Sequence, residues 1–414
     1  MIAKIAGPSK HLLEFLLALN LRLTKPQFRH LREVVDALIV CEAPKTLTQL
    51  NRQLMEKRDP YALADFFTYS PWDCEDVQSK IKKSLIDSAL KDNSSESKVI
   101  LISIDDSMTK KPKTSKHFEP VDFHFNHTEG LSSFGLSFLT MHVKIGKHSY
   151  LIDLRPYLKE RTVRKLNRKR PKEKRVKFRT KYSLAKEMLA DLEPLLPKDN
   201  QIYVLFDSWY ASAKLIKFCF RKGFNVICRI KHNRKINGKR VSSYAKRLRN
   251  KSFNKVMLSS ATHLTSTFKG FINDFGEEVK VIISKRHPRD RYPEYFLSTD
   301  TSLKAKEVLN YYERRWQVEI DHLYLKTRLG LGDFRLRTVE GITKYLTLCL
   351  LALAYLQHRL VKDARLKNIS QVIFKHRQEH FQLFLKEVCK MTLEKVLLNQ
   401  HLKDLCQRQR DIHL

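Results

Sequence analysis

The feature that most limits the possible folds is the order of patterned segments between Val99 and Ile230. Val99–Ile104 is a short apolar run of β type that ends in Asp105 and Asp106. Leu136–Val143 and Ser149–Leu154 are two more, and the turn residues Gly146 and Lys147 between them predict a hairpin. A very basic stretch, 159–181, follows. The spacing then predicts a helix over Ser183–Leu195, a strand over Ile202–Phe206, a helix over about Ala211–Lys222 and a strand over Phe224–Ile230, entered through Gly223. Three hairpin-type strands followed by crossover units give a mixed five-stranded sheet. Asp105 and Asp207 fall at the carboxyl ends of predicted strands, where open α/β sheets place their ligands.

That strand order is the one found in RNase H-like folds. Around it the pattern changes. Residues 1 to about 95 carry helical periodicity, as in Leu12, Phe15, Leu16 and Leu19, then Leu31, Val35 and Leu38, then Ile81 and Leu85. Pro26, Pro44, Pro60 and Pro71 should separate short helices there. Such a domain suits DNA binding or serves as a packing element; no helix-turn-helix can be assigned. Asp92–Lys98 is a polar, Ser-rich linker, and from 232 to 300 strand-like pieces such as Lys255–Leu258, Val279–Ile283 and Tyr295–Leu297 predict a β-rich insertion. A long helix over about Leu303–Arg328 precedes Gly330 and Gly332, and an apolar helix runs over about Gly341–Arg359. The expected class is thus α/β: an RNase H-like mixed five-stranded sheet with a β-rich insertion, flanked by helical N- and C-terminal regions. The expected segments are a helical, DNA-binding 1–95, a core in two parts (96–231 and 301–362), the insertion 232–300 and a helical 363–414.

Lys and Arg outnumber Asp and Glu by 79 to 44, and the resulting charge of +35 is spread along most of the chain. Such an excess promotes phosphate contacts and counterion release, so the natural partner is nucleic acid. A basic membrane-surface protein would show an isolated basic amphipathic helix, and none is evident. Tyr345–Tyr355, the most apolar run, falls short of the roughly 20 residues a membrane span needs and reads as a buried helix. Gly7, Pro8 and His11 precede any apolar run, unlike a signal peptide, so a cytoplasmic, nucleoid-associated protein is expected. The seven Cys, at 41, 74, 219, 228, 349, 389 and 406, contain no Cys-x-x-Cys pair and read as reduced core thiols.

The chemistry is expected to rest on Asp105 or its neighbour Asp106, on Asp207 and on Glu319. Phosphoryl transfer in nucleic acids can be driven by two divalent ions roughly 3.5 to 4 Å apart. Magnesium is held by a few carboxylates with water and substrate phosphate, so three acids suffice. Taken alone, Asp207 could cap the helix that begins near Ala211, and Glu319 could be a solvated ion-pair partner. The helix around Glu319 argues otherwise. Tyr312, Arg315, Glu319, His322 and Lys326 follow one another at 3, 4, 3 and 4 residues and should share one face. A carboxylate flanked by cations and a phenol suits a metal ligand beside DNA-binding groups. Trp316, Ile320 and Leu323 point the other way and should anchor the helix in the core.

That window, Tyr, two residues, Arg, three residues, Glu, six residues, Lys, resembles the signature of a large group of bacterial insertion-sequence DDE transposases, and Tyr312, Arg315, Glu319 and Lys326 match it without a gap. Ile104-Asp105-Asp106-Ser107 with Lys110-Lys111 resembles the group's first-strand motif, and Phe206-Asp207-Ser208-Trp209-Tyr210 its second. With Ser70-Pro71-Trp72-Asp73 the likeness covers roughly residues 60 to 345. The resemblance implies magnesium dependence, with manganese able to substitute, cleavage at terminal inverted repeats and transfer to target DNA by a homodimer. It implies that Asp105, Asp207 and Glu319 are metal ligands and that Tyr312, Arg315 and Lys326 touch the transposon end, with His322 beside them on the same face. Asp105 fits the pattern of apolar residue, Asp, any residue, Ser; Asp106 fits if the motif is Asp followed directly by Ser. Some relatives stack a Trp of the insertion on a flipped base, but 232–300 contains none. Phe268, Phe271, Tyr292 or Tyr295 could stand in, although aromatic residues in strands more often belong to the core.

The run Arg161, Arg164, Lys165, Arg168, Lys169, Arg170, Lys172, Lys174, Arg175 and Lys177 reads as a phosphate track or a solvated loop. His124, His127, His142 and His148 lack metal-site spacing and read as ordinary core or surface residues. Beside the transposase stand two alternatives: an RNase H-like nuclease or resolvase without strand transfer, and an inactive DNA-binding relic.

Overall fold

The computed structural model describes residues 4–56, 59–92, 98–115, 117–126, 130–273 and 275–390. The linker residues 93–97, His127, Cys406 and the C-terminal region beyond 390 lie outside the described residues. In chain order the elements begin with α1 (Lys10–Ala18), α2 (Lys25–Val40), α3 (Leu47–Arg52), α4 (Pro60–Thr68) and α5 (Cys74–Asp92). Strands β1 (Val99–Lys110), β2 (Asp122–Asn126), β3 (Leu131–Ile145) and β4 (His148–Tyr157) follow. Next come α6 (Glu160–Asn167), α7 (Lys181–Leu192), β5 (Gln201–Phe206), α8 (Ala213–Arg221) and β6 (Asn225–Arg229). The insertion holds β7 (Lys235–Ile236), β8 (Lys239–Arg240), α9 (Val241–Arg247), β9 (Asn254–Met257), β10 (Thr262–Phe271), β11 (Glu278–Lys285) and β12 (Glu294–Ser298). The chain continues through α10 (Ala305–Glu313), α11 (Trp316–Thr327), α12 (Val339–Lys362) and α13 (Ile369–Lys390).

Two compact units result: one holds residues 1–85, 109–136 and 323–414, the other 86–108 and 137–322. The first is mainly helical. Its predicted proline punctuation is visible at helix starts: Pro26 lies in the first turn of α2 and Pro60 opens α4, where a missing N–H costs nothing. Thr24 and Gln27 add a reciprocal cap, each accepting from the other's backbone N–H. At the centre α12 packs against α2, α4 and α13. It is long and apolar enough to cross a membrane, but 83% of its most apolar window is buried inside the protein, so it is the core helix its sequence predicts. The Tyr345 hydroxyl of α12 donates to the carbonyl of Gly330. Gly330 has φ +62° and a Cβ there would meet the Lys45 side chain at 2.2 Å, so no other residue fits. In the same unit β2 pairs antiparallel with the start of β3.

The second unit is built on a mixed sheet. The five strands read from the sequence lie side by side as β4, β3, β1, β5, β6, with β1, β5 and β6 parallel. The count of five is corrected, however: the sheet has ten strands when β2 is included. The insertion does not stand apart, because β12 pairs antiparallel with β6 (Phe296 with Arg229, Leu297 with Cys228) and β11, β10 and β9 extend the sheet beyond it. An edge strand carries a row of unsatisfied N–H and C=O groups, and β12 satisfies those of β6. On one face Leu101, Tyr203, Leu205, Ile227, Ile282 and Phe296 form an apolar cluster with Val308 and Leu309 of α10. Six cysteines lie among the described residues, all unpaired, and Cys41, Cys219, Cys228 and Cys349 are buried.

Candidate active site

Side chains alternate between the two faces of a strand. Residues 101, 103 and 105 of β1 therefore share the face covered by α10, as do 203 and 205 of β5, with Asp207 next in line. The register pairs Ser103 with Leu205, and continued by two residues it sets Asp105 beside Asp207. The strand does not stop at the acidic pair, as its apolar run predicts. β1 runs on to Lys110, and Asp105 and Asp106 lie inside it, just past the described pairing with β5.

Being neighbours on a strand, the two acids face opposite ways, and their partners differ accordingly. Asp106 is ion-paired with Lys181 at the start of α7 and accepts from the Tyr210 hydroxyl at 2.8 Å. Asp105 is bonded by Arg315 Nη1 at 2.7 Å, and the other arm of the same guanidinium bonds Glu319 at 2.7 Å. One planar fork thus ties two carboxylates that lie on β1 and α11. Asp207 accepts from the backbone N–H groups of Trp209 and Tyr210 at 2.8 and 3.3 Å, an Asx turn that fixes its carboxylate where β5 ends. Tyr182 stacks on Trp209 at 4.9 Å and donates its hydroxyl to the Trp209 carbonyl, which steadies that turn.

Burial pushes the Asp105 carboxyl up to about 7, against the pull of Arg315 and with help from the charges of Asp207 and Asp106. Tyr312 is pushed up to about 12 by burial; it meets Phe296 edge to face and lies under the Arg315 guanidinium.

The helix expected over 303–328 is two helices. Between α10 and α11 the N–H groups of Arg314, Arg315, Gln317 and Val318 reach back three residues, to Tyr311, Tyr312, Arg314 and Arg315. This is a tightened, 3₁₀-like passage, yet it keeps the three side chains together: Arg315 lies over the Tyr312 ring and bonds Glu319. The anchor of α11 also differs from expectation. Trp316 and Leu323 are 61% and 57% exposed, whereas Val318, Asp321, His322 and Leu325 are buried. Two of those buried residues are polar, and β3 satisfies them. The Thr140 hydroxyl meets His322 Nε2 at 2.6 Å and donates to the Asp105 carbonyl at 3.3 Å, and His142 Nδ1 pairs with the Asp321 carboxylate. The Ser149 hydroxyl meets the other nitrogen of His142. His322, expected on the DNA-binding face, is thus buried behind the carboxylates. Lys326 lies one turn beyond it, half-buried, in the part of α11 that belongs to the first unit; burial pulls its ammonium down.

Of the remaining residues singled out in the sequence, His148 bonds Tyr150 and pairs with Asp92, and His124 lies on β2. Phe268 stacks on Tyr244 and Tyr295 is buried, while Phe271 and Tyr292 are exposed. Nearly all the basic side chains of 161–177 are exposed. Sequence reasoning missed Lys181 and Tyr210 as partners of Asp106, and Thr140 and His142 as supports of α11. Their only signal is polarity at positions that strand and helix periodicity mark as inward-facing.

Asp105 and Glu319, joined through Arg315, and Asp207, whose charge reaches Asp105, offer hard oxygen donors of the kind magnesium and manganese take. Burial is the main cause of the raised Asp105 carboxyl, with the charges of Asp207 and Asp106 adding to it, and a divalent cation beside it would oppose both. A family model described as DDE superfamily endonuclease matches residues 18–251, more than half of the 414-residue chain, and one described as transposase DDE domain matches residues 154–355. The first match takes in Asp105 and Asp207, the second Asp207 and Glu319. No curated protein matches the chain.

Proposed function

Because this chain belongs to the DDE superfamily of endonucleases, we propose that it is the transposase of a bacterial insertion sequence, which cuts DNA at the ends of the element and joins them to a target. It would belong to the group that carries the Tyr-x2-Arg-x3-Glu-x6-Lys signature. The observation that carries the reading is the Arg315 fork, which reaches back 210 residues of sequence to Asp105 and ties it to Glu319. The register of β1 with β5, which ends at Ser103 and Leu205, two residues before Asp105 and Asp207, supports adding Asp207 to the set.

In this reading Asp105, Asp207 and Glu319 hold magnesium, or manganese in its place. Held there, the cations would supply Lewis-acid activation of an attacking oxygen and stabilisation of a leaving one. The chain's own residues fix the geometry around that chemistry. Asp106 supports from the far face: its bonds to Lys181 and Tyr210 keep β1 from turning, so Asp105 stays aimed at α11. Thr140 and His322 brace the same strand from behind. Arg315 sets the spacing of Asp105 and Glu319. Tyr312 and Lys326 are assigned to the transposon end. Recognition of terminal inverted repeats and action as a homodimer complete the reading.

The test uses the purified chain, a labelled element end and a target plasmid with Mg2+ or Mn2+. Joined product supports transposition; hydrolysis without joining would favour a nuclease that uses the same carboxylates. Asp207→Asn or Glu319→Gln should lower cleavage by several orders of magnitude while DNA binding persists, and cleavage retained in either variant overturns the ligand assignment.

A further inference from the structure

We propose that Asp36, His376 and His380 form a buried site for one divalent transition metal of the zinc class, which ties the first long helix of the chain to the last described one. Asp36 lies on α2, and the two histidines stand four residues apart on α13, hence on one face. All three side chains are fully buried, and their ligand atoms lie within 4.8 Å of one another. Nε2 of His376 and Nε2 of His380 both point at the same oxygen of Asp36, at 3.0 and 2.8 Å.

Hydrogen bonding alone leaves this cluster incomplete. With both imidazoles directed at Asp36 Oδ1, the second carboxylate oxygen, Oδ2, is buried with no partner among the described residues, and so is Nδ1 of His380. Buried polar atoms are normally satisfied, because leaving one bare forfeits its hydration. A cation held by two imidazole nitrogens and both oxygens of a chelating carboxylate has four donors and takes up the orphan oxygen. The fit is close. Around zinc, donors at about 2.0 to 2.2 Å in near-tetrahedral positions stand roughly 3.3 Å apart, except the two oxygens of one chelating carboxylate, which stay closer, so the two Nε2–Oδ1 separations need to open by a few tenths of an ångström.

The surroundings also suit a ligand. Nδ1 of His376 meets the Tyr355 hydroxyl at 3.2 Å; Tyr355 is in turn bonded by Arg359, and Arg359 is paired with Glu379. A metal-bound histidine characteristically gives its second nitrogen to such a chain, which sets ring orientation and tautomer. Imidazole donors select zinc, cobalt or nickel over magnesium, so this site is chemically distinct from the three acids of the active site. Closing a link across 340 residues of sequence makes metal binding a contribution to folding.

The experiment uses the full chain, stripped with a chelator and titrated with Co2+ and with Zn2+. Expected are about one tightly held Co2+ per chain, with the visible absorption of a four-coordinate site that excess Mg2+ does not displace, and a melting temperature that Zn2+ raises. His380→Gln keeps an amide to bond Asp36 but is a poor ligand; it should fold, by circular dichroism, and lose the cobalt spectrum. Asp207→Asn should retain it. The proposal is overturned if the stripped wild type binds no Co2+ in this way, or if His380→Gln binds it as tightly as the wild type.

Discussion

Asp105 and Asp106 differ by one position and have opposite surroundings. The motif patterns of the sequence admit either as the first acid, because a pattern carries no parity. A strand does: Asp106 meets Lys181 and Tyr210, and Asp105 meets Arg315. The raised carboxyl of Asp105 has a measurable consequence. Its folded pKa, about 7, lies above its ordinary 3.8, so the folded state holds that proton more tightly than the unfolded chain does. The group is neutral in both states below about pH 4, and stability falls as pH rises from there to 7, then levels off. Without divalent metal, Asp105→Asn should therefore stabilise the protein above pH 7 by on the order of 2 kcal/mol, with the difference vanishing near pH 4. Thermal melts at pH 4 and pH 8 measure it; a variant that melts lower than wild type at pH 8 refutes the assignment. In the wild type, magnesium affinity should fall as pH drops through 7, since protons compete for the same oxygens.

The element least legible in the sequence is α11. Its strands and crossover helices announce themselves by period, and β5, α8 and β6 fall within a few residues of their expected limits. For α11 the rule that apolar residues point inward fails, because the inward face carries Asp321 and His322 while Trp316 and Leu323 face outward. The partners that make this possible, Thr140 and His142, come from a strand about 180 residues earlier, beyond any local pattern. The three-residue backbone steps at Arg314 and Arg315 have no marker either, since no proline or glycine stands there. If the His142–Asp321 pair orients the helix that carries Glu319, Asp321→Asn should cost about 1 to 3 kcal/mol of stability, the usual price of removing one partner from a buried polar pair. Urea denaturation gives the number. A midpoint equal to wild type would mean that the pair supports nothing.

At the scale of the whole molecule, charge was the plainest message of the sequence, and the sheet its most incomplete one. The +35 excess needs no coordinates to predict affinity for a polyanion. Changing Lys172, Lys174, Arg175 and Lys177 together to Gln should weaken duplex binding equally for all sequences and flatten the slope of log K against log salt by up to about 4. An unchanged slope would show that this exposed stretch touches no phosphate. The far half of the sheet stayed hidden because pairing of β12 with β6 links residues about 70 apart, and short runs such as Tyr295–Leu297 do not reveal which edge they will join. That pairing also bears on how such a chain can change. β12 leads within a few residues into α10 and on to Glu319, so its position sets where the third acid arrives. Lineages and engineers alike should find room to lengthen or prune the outlying turn between β9 and β10, whereas a single residue added between Glu294 and Ser298 would slip the whole downstream helix out of step with its two distant acidic companions.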